Sequence, residues 1–136
     1  MRILGLDHVV IRCNDLAVMQ RFYCDVLGCH VEKNNEKLGL LHLRAGQSLI
    51  DLISVDGELG RAGGAGPGND ARNVDHFCLR IESFDEEALR ARFRASGVEL
   101  SRVYENFGAE GTGPSVYLND PEGNSIELKG PSRTSG

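Results

Sequence analysis

The sequence predicts an α+β fold made of two tandem β-α-β-β-β modules. They span residues 3–56 and 74–130 of a single 1–136 domain and are joined by a glycine-rich stretch, 57–73. Three observations predict it. Asp7-His8-Val9-Val10-Ile11-Arg12 reappears in type as Asp75-His76-Phe77-Cys78-Leu79-Arg80. Each half closes on a carboxylate between two apolar residues, Ile50-Asp51-Leu52 and Ile126-Glu127-Leu128. The elements between opening and closing strands follow the same order in both halves, which is the mark of an internal repeat.

In the first half, residues 7–12 read as a strand. Residues 15–27 then carry apolar side chains at Leu16, Met19, Phe22, Tyr23, Val26 and Leu27. That is helical spacing, with Asp15 as N-cap and Gly28 as the stop. Strand-like runs follow at 30–33, 38–44 and 48–55. In the second half the spacing predicts a helix over 85–96, with a capping box at Ser83-Phe84-Asp85-Glu86 and Gly97 as the stop. Runs at 98–103, 115–119 and 125–129 complete the module. The connecting stretch holds Gly57, Gly60, Gly63, Gly64, Gly66 and Gly68, and reads as a flexible linker. It has neither the lysine nor the spacing of a phosphate-cradling loop. A second glycine-rich segment, 104–114, reads as a loop able to close over a site.

Side chains alternate along a strand. Val9 and Ile11 therefore share one face of the first strand, and His8, Val10 and Arg12 the other. Phe77, Leu79 and Ile81 lie opposite His76, Cys78 and Arg80. In the last strand Ile126 and Leu128 lie opposite Ser125, Glu127 and Lys129. The apolar faces are expected against the helices, which leaves His8, His76 and Glu127 on the other face. A lone strand histidine is usually structural, so the case rests on several ligand-type residues sharing one face. Two imidazoles and a carboxylate suit zinc, iron, nickel or manganese. The strand arginines, Arg12 and Arg80, are expected to be solvated rather than bound to substrate.

The net charge of −5 gives nothing for nucleic acid or an anionic membrane to hold. No apolar run is long enough to span a bilayer, and the N-terminus carries no long apolar signal segment. Cys13, Cys24, Cys29 and Cys78 form no CxxC pair. Reduced thiols in a cytoplasm are the expectation.

Asp7-His8-Val9-Val10-Ile11, Arg21-Phe22-Tyr23-Cys24-Asp25-Val26-Leu27-Gly28 and Leu118-Asn119-Asp120-Pro121-Glu122-Gly123-Asn124-Ser125-Ile126-Glu127-Leu128 carry a family resemblance. They resemble the opening strand, the "FY…VLG" helix end and the "DPDGN-IEL" closing hairpin of the vicinal-oxygen-chelate superfamily. That superfamily includes glyoxalase I, extradiol dioxygenases, fosfomycin-resistance enzymes and bleomycin-binding proteins. The chain is nearest in look to the glyoxalase-I-like domain proteins. The resemblance implies paired modules curled into an open mixed β-sheet barrel, helices outside, around a divalent metal.

Carried over, the metal ligands are His8, His76 and Glu127, with Asp51 at the fourth position. Glu or Gln is usual there. Aspartate is one methylene shorter and is expected to reach the metal poorly, through water. The leading function is that of a metal-dependent lyase or isomerase of the glyoxalase I type acting on a small oxygenated substrate. In it, Glu127 or Asp51 moves the proton beside the carbonyl. An iron(II) extradiol-type dioxygenase is the alternative, with Tyr117 or His42 as acid/base. A non-enzymatic drug-binding protein of the bleomycin type is the third reading, although Trp is absent and aromatics are only 6%. Asn124 stands where the fosfomycin-type enzymes tend to carry His. A homodimer is expected, with His8 and Asp51 from one subunit meeting His76 and Glu127 from the other.

Overall fold

The computed structural model describes residues 1–133, so the last three residues of the expected domain lie outside the described residues. The first half holds β1 (His8–Cys13), α1 (Leu16–Arg21), β2 (His30–Asn35), β3 (Leu40–Ala45), β4 (Ser48–Ser54) and the short α2 (Glu58–Arg61). The second holds β5 (Phe77–Arg80), α3 (Glu86–Ala95), β6 (Tyr104–Gly108), β7 (Gly111–Asn119) and β8 (Ser125–Lys129). Two compact units result, Met1–Asn73 and a second beginning at Val74. Each contains one four-stranded mixed sheet, in the orders β1-β4-β3-β2 and β5-β8-β7-β6. The α+β class and the tandem β-α-β-β-β order are those the sequence predicts.

Both sheets are built alike. The opening strand pairs in parallel with the closing strand, β1 with β4 and β5 with β8. The middle strands pair antiparallel. Alternation sorts the side chains as expected in β1, where Ile11 and Cys13 are buried and His8 and Val10 exposed. Ile11, Met19, Tyr23, Leu41, Leu43, Ile50 and Leu52 form the core of the first unit. Phe93, Val116, Leu118, Ile126 and Leu128 form that of the second. At about 25 cal/mol per Å² of apolar surface removed from water, each of these contributes on the order of 1.5–3 kcal/mol.

The helix ends have local causes. Asp15 accepts from the Val18 amide at 3.1 Å, and Asp85 from the Ala88 amide at 3.0 Å. The cap of α3 is thus Asp85 itself, not the expected Ser83, because its side chain already satisfies an orphan amide of the first turn. Gly28 and Gly97 follow their helices at φ +84° and +71°, which glycine adopts without strain. The first helix does not stay α-helical to residue 27. Phe22–Val26 forms a π-helical turn, with the Leu27 amide bonded to the Phe22 carbonyl at 3.2 Å. Phe22 and Tyr23 are both buried, and the added residue in that turn is compatible with seating two adjacent rings.

Three expectations need correction. The 98–103 run is not a strand: β6, the strand that pairs with β7, begins only at Tyr104. The run is tied to β7 at Ser101, whose amide donates to the Tyr117 carbonyl and whose hydroxyl accepts from the Tyr117 amide. Most of 104–114 is accordingly a hairpin, β6 and the start of β7, rather than a loop. The stretch 57–73 is likewise not featureless. It contains α2 and is fastened to β1 through Arg12.

The Arg12 guanidinium donates to the carbonyls of Gly60, Gly64 and Ala65 at 3.2, 2.6 and 3.1 Å. Asn73 brackets the Arg12 backbone, accepting from its amide and donating to its carbonyl. Arg12 is therefore a structural clasp rather than a solvated cation.

Close packing under this stretch gives a test. A Cβ on Gly60 would lie 1.8 Å from the Ser54 carbonyl oxygen, whereas one on Gly68 would meet nothing within 4 Å. Urea unfolding should show Gly60→Ala destabilised by roughly 1–3 kcal/mol. Gly68→Ala should be near neutral. Equal stability of the two variants would contradict the packing described.

Candidate metal centre

The parallel pairing of opening and closing strands places each histidine beside a carboxylate. In the first unit His8 Nε2 lies 3.9 Å from Asp51 Oδ2. In the second, His76 Nε2 lies 3.2 Å from Glu127 Oε1. Both carboxylates are buried and both histidines are partly exposed.

The aspartate before each histidine fixes its ring. His8 Nδ1 is 2.7 Å from Asp7 Oδ1, and His76 Nδ1 is 2.7 Å from Asp75 Oδ2. An ionised carboxylate only accepts, so Nδ1 carries a proton and Nε2 is the nitrogen turned toward the closing carboxylate. Metal-ligating histidines are oriented by such an outer carboxylate. The Asp7 hydrogen bond raises the His8 pKa above its ordinary 6.5, against a lowering by desolvation.

Glu127 is surrounded by donors. Ser115 Oγ donates to Oε2 at 2.6 Å, Asn106 Nδ2 to the same oxygen at 3.2 Å, and the Tyr117 hydroxyl to Oε1 at 3.2 Å. Burial pushes the Glu127 pKa up, but these donors, with His76, bring it below its ordinary value. Tyr117 stacks edge-on against both His76 and Tyr104, with ring centroids 5.6 Å apart in each case. Burial and the Glu127 charge raise the Tyr117 pKa, so it stays protonated at neutral pH.

Asp51 is differently engaged. His42 Nδ1 approaches its Oδ1 at 2.8 Å across the β3–β4 register. His42 holds in the first sheet the place that Tyr117 holds in the second, each opposite its closing carboxylate.

The structure thus brings together His8 with Asp51 and His42, and His76 with Glu127 and Tyr117. Among the described residues no group of three or more His, Cys, Asp or Glu side chains is gathered as a metal centre. Each unit offers a pair. The pairs fit a divalent ion in donor chemistry: an imidazole Nε2 beside a carboxylate, with outer-carboxylate support on Nδ1. Two ligands of one ion at ~2.1 Å stand about 3.0–3.4 Å apart, which the His76–Glu127 pair already matches.

Ser115 and Asn106 escaped the sequence reading. Ser115 alternates onto the Tyr117 face of a strand already expected, so period-2 counting could have found it. Asn106 lies in β6, which was read as loop and so given no face. Arg80 pairs with Glu110 rather than standing solvated.

Residues 5–128 match the model of the Glyoxalase/Bleomycin resistance protein/Dioxygenase superfamily. The chain belongs to that superfamily. Among solved structures it is similar to a protein from the mobile metagenome of V. Pseudocholerae, at 26% identity, TM-score 0.77 and 98% coverage of both chains. It is also similar to a virulence protein from Salmonella typhimurium, at 25% identity, TM-score 0.77, and 96% and 99% coverage. Lactoylglutathione lyase from Agrobacterium tumefaciens shares the fold at 20% identity, TM-score 0.69 and 96% coverage of both chains. No curated protein matches.

The donors on Glu127 make a pH prediction. A depressed carboxylate pKa adds stability that is present above the ordinary value of 4.5 and is lost as pH falls through the folded value. Ser115→Ala removes the shortest donor. The Glu127 carboxyl, followed by carbon-13 NMR, should then titrate at higher pH, and acid unfolding should begin earlier. An unmoved titration would show that Ser115 does not hold the carboxylate.

Proposed function

We propose that this chain is a divalent-metal-dependent lyase or isomerase of the glyoxalase I type, acting on a small oxygenated substrate as a homodimer. The carrying observation is the twice-built pair: a histidine with Nδ1 held by the preceding aspartate and Nε2 facing the unit's closing carboxylate. His8, His76 and Glu127 would hold the ion, with Asp51 a weaker partner. His8 and Asp51 come from one subunit and His76 and Glu127 from the other, the two modules making one domain. The likeness to lactoylglutathione lyase supports the fold, and a fold does not carry a reaction with it.

When bound, the ion supplies Lewis-acid stabilisation of charge on substrate oxygens. The chain's own residues then divide the work. Glu127, charged and anchored by three donors, is suited to holding the ion and is a weak base. Tyr117 stays protonated and can donate a hydrogen bond to a developing oxyanion. Asp51, facing the His42 ring, is the carboxylate left to take the proton beside the carbonyl. No described helix is long and apolar enough to cross a membrane. The four cysteines, in no disulfide among the described residues, fit the reducing cytoplasm in which we place the protein.

Elemental analysis of protein purified without a chelating column should find one divalent ion per ligand set. Bound iron with ring-cleaving activity on a catechol would replace the lyase reading by the dioxygenase. His8→Ala, His76→Ala and Glu127→Ala should each lower zinc affinity by at least about 100-fold, the upper end of what losing a mere outer-shell partner costs, and Asp51→Ala should lower it less. Protonated imidazole cannot ligate, so affinity should fall with falling pH, beginning above 6.5 because the His8 pKa is raised.

A mixed dimer of His8→Ala and Glu127→Ala subunits tests sharing. Cross-subunit sites leave one of the two intact, and within-chain sites leave none. A monomer by light scattering would rule out the dimer.

A further inference from the structure

The second unit contains a groove of about 310 Å³ beside the His76–Glu127 pair. Its walls carry His76, Arg80 and Glu110, with Glu127, Lys129 and the exposed ring of Phe107. The charged and imidazole groups of this wall touch one another, with one exception. Arg80 bonds Glu110, and His76 faces Glu127. Lys129 is left over.

Lys129 is 5% exposed, yet among the described residues its ammonium has no hydrogen bond or ion pair. Its stem is buried while the amino nitrogen keeps access to the groove, where a charge is screened less than on an open surface and favours an anionic partner.

The fold makes room for it. Lys129 lies on β8 opposite Arg80, on the same face as Glu127 two residues earlier. Its stem runs under the β6–β7 hairpin where side chains are missing. A Cβ on Gly108 would sit 2.9 Å from Lys129 Cε, and one on Gly113 would sit 3.3 Å from Nζ. The amino group therefore reaches the groove rather than bulk water, although lysine usually snorkels outward.

We propose that Lys129 is an anion-recognition residue and that the ligand of this groove carries an oxyanion, a carboxylate or a phosphoryl group, close to its metal-directed oxygens. This deepens the metal-dependent reading and rests on it for the second half of the statement. A small acid would place its charge on Lys129 and its carbonyl or hydroxyl end toward His76 and Glu127. A neutral ligand would leave the ammonium uncompensated, so the groove discriminates by the cost of that unpaired charge.

The test uses the full chain stripped of metal, so that it does not depend on the metal reading. Acetate and methylphosphonate are titrated separately, and backbone amide shifts are followed by NMR. The expected result is saturable perturbation centred on residues 108, 113 and 127–130 with one or both anions; whichever binds tells carboxylate from phosphoryl. Lys129→Met should weaken binding by at least about 10-fold, the loss of a charge-assisted bond. Lys129→Arg should keep most of it, and Lys33→Met, a surface control, all of it.

Shifts scattered over the surface, or equal binding by Lys129→Met, would overturn the proposal. The wild-type map decides even if Lys129→Met fails to fold. Anion binding at Lys129 in a chain that takes up no metal would sink the metal-dependent reading and leave the anion site standing.

Discussion

The β5–β8 parallel register is what everything at the site depends on. It sets Cys78 against Glu127 and Phe77 against Ile126, which brings His76 alongside the Glu127 carboxylate. A slip of one residue would turn Glu127 into the apolar side and Ile126 out of it. Burial of Ile126 and Leu128 forbids that slip, because both would lose nearly all their packing. Greasy side chains on one face thus fix the register, and with it the face, of a charged group on the other. The same logic runs through β1 and β4, where Ile50 and Leu52 flank Asp51.

Around this register the polar groups form a graded shell. Glu127 takes three side-chain donors and stays ionised despite burial. Asp51 takes one, from His42. The two halves therefore share a backbone and differ in how firmly their closing carboxylates are held. That difference suits a division of roles between an anchoring carboxylate and a more available one.

The fold class was legible because its signals are local and repeated: Asp-His at the head of a strand, a helix of apolar period closed by Gly28 or Gly97, and a carboxylate between two apolar residues. The histidine–carboxylate pairs were legible because alternation fixes faces. What was not legible depends on long-range pairing. Nothing in Tyr104–Gly108 marks it as the partner of β7, since Glu105 and Phe107 are exposed and the segment ends in glycine. With β6 unseen, Asn106 had no face, and the cavity over Lys129 had no roof. Arg12 reads as a surface cation until its carbonyl partners, 48 to 53 residues away, are in place.

His42 and Tyr117 occupy matching rungs of the two sheets, as do Asp51 and Glu127 and the strand-head histidines. A ladder copied in this way frees each rung from its twin. Substitution at residue 51 or 42 changes the polar rung of one sheet while the rung of the other keeps its own partners. New chemistry can thus be tried on one side of the molecule against a constant background on the other. The single carbon separating Asp51 from Glu127 is a difference of that kind, confined to one rung.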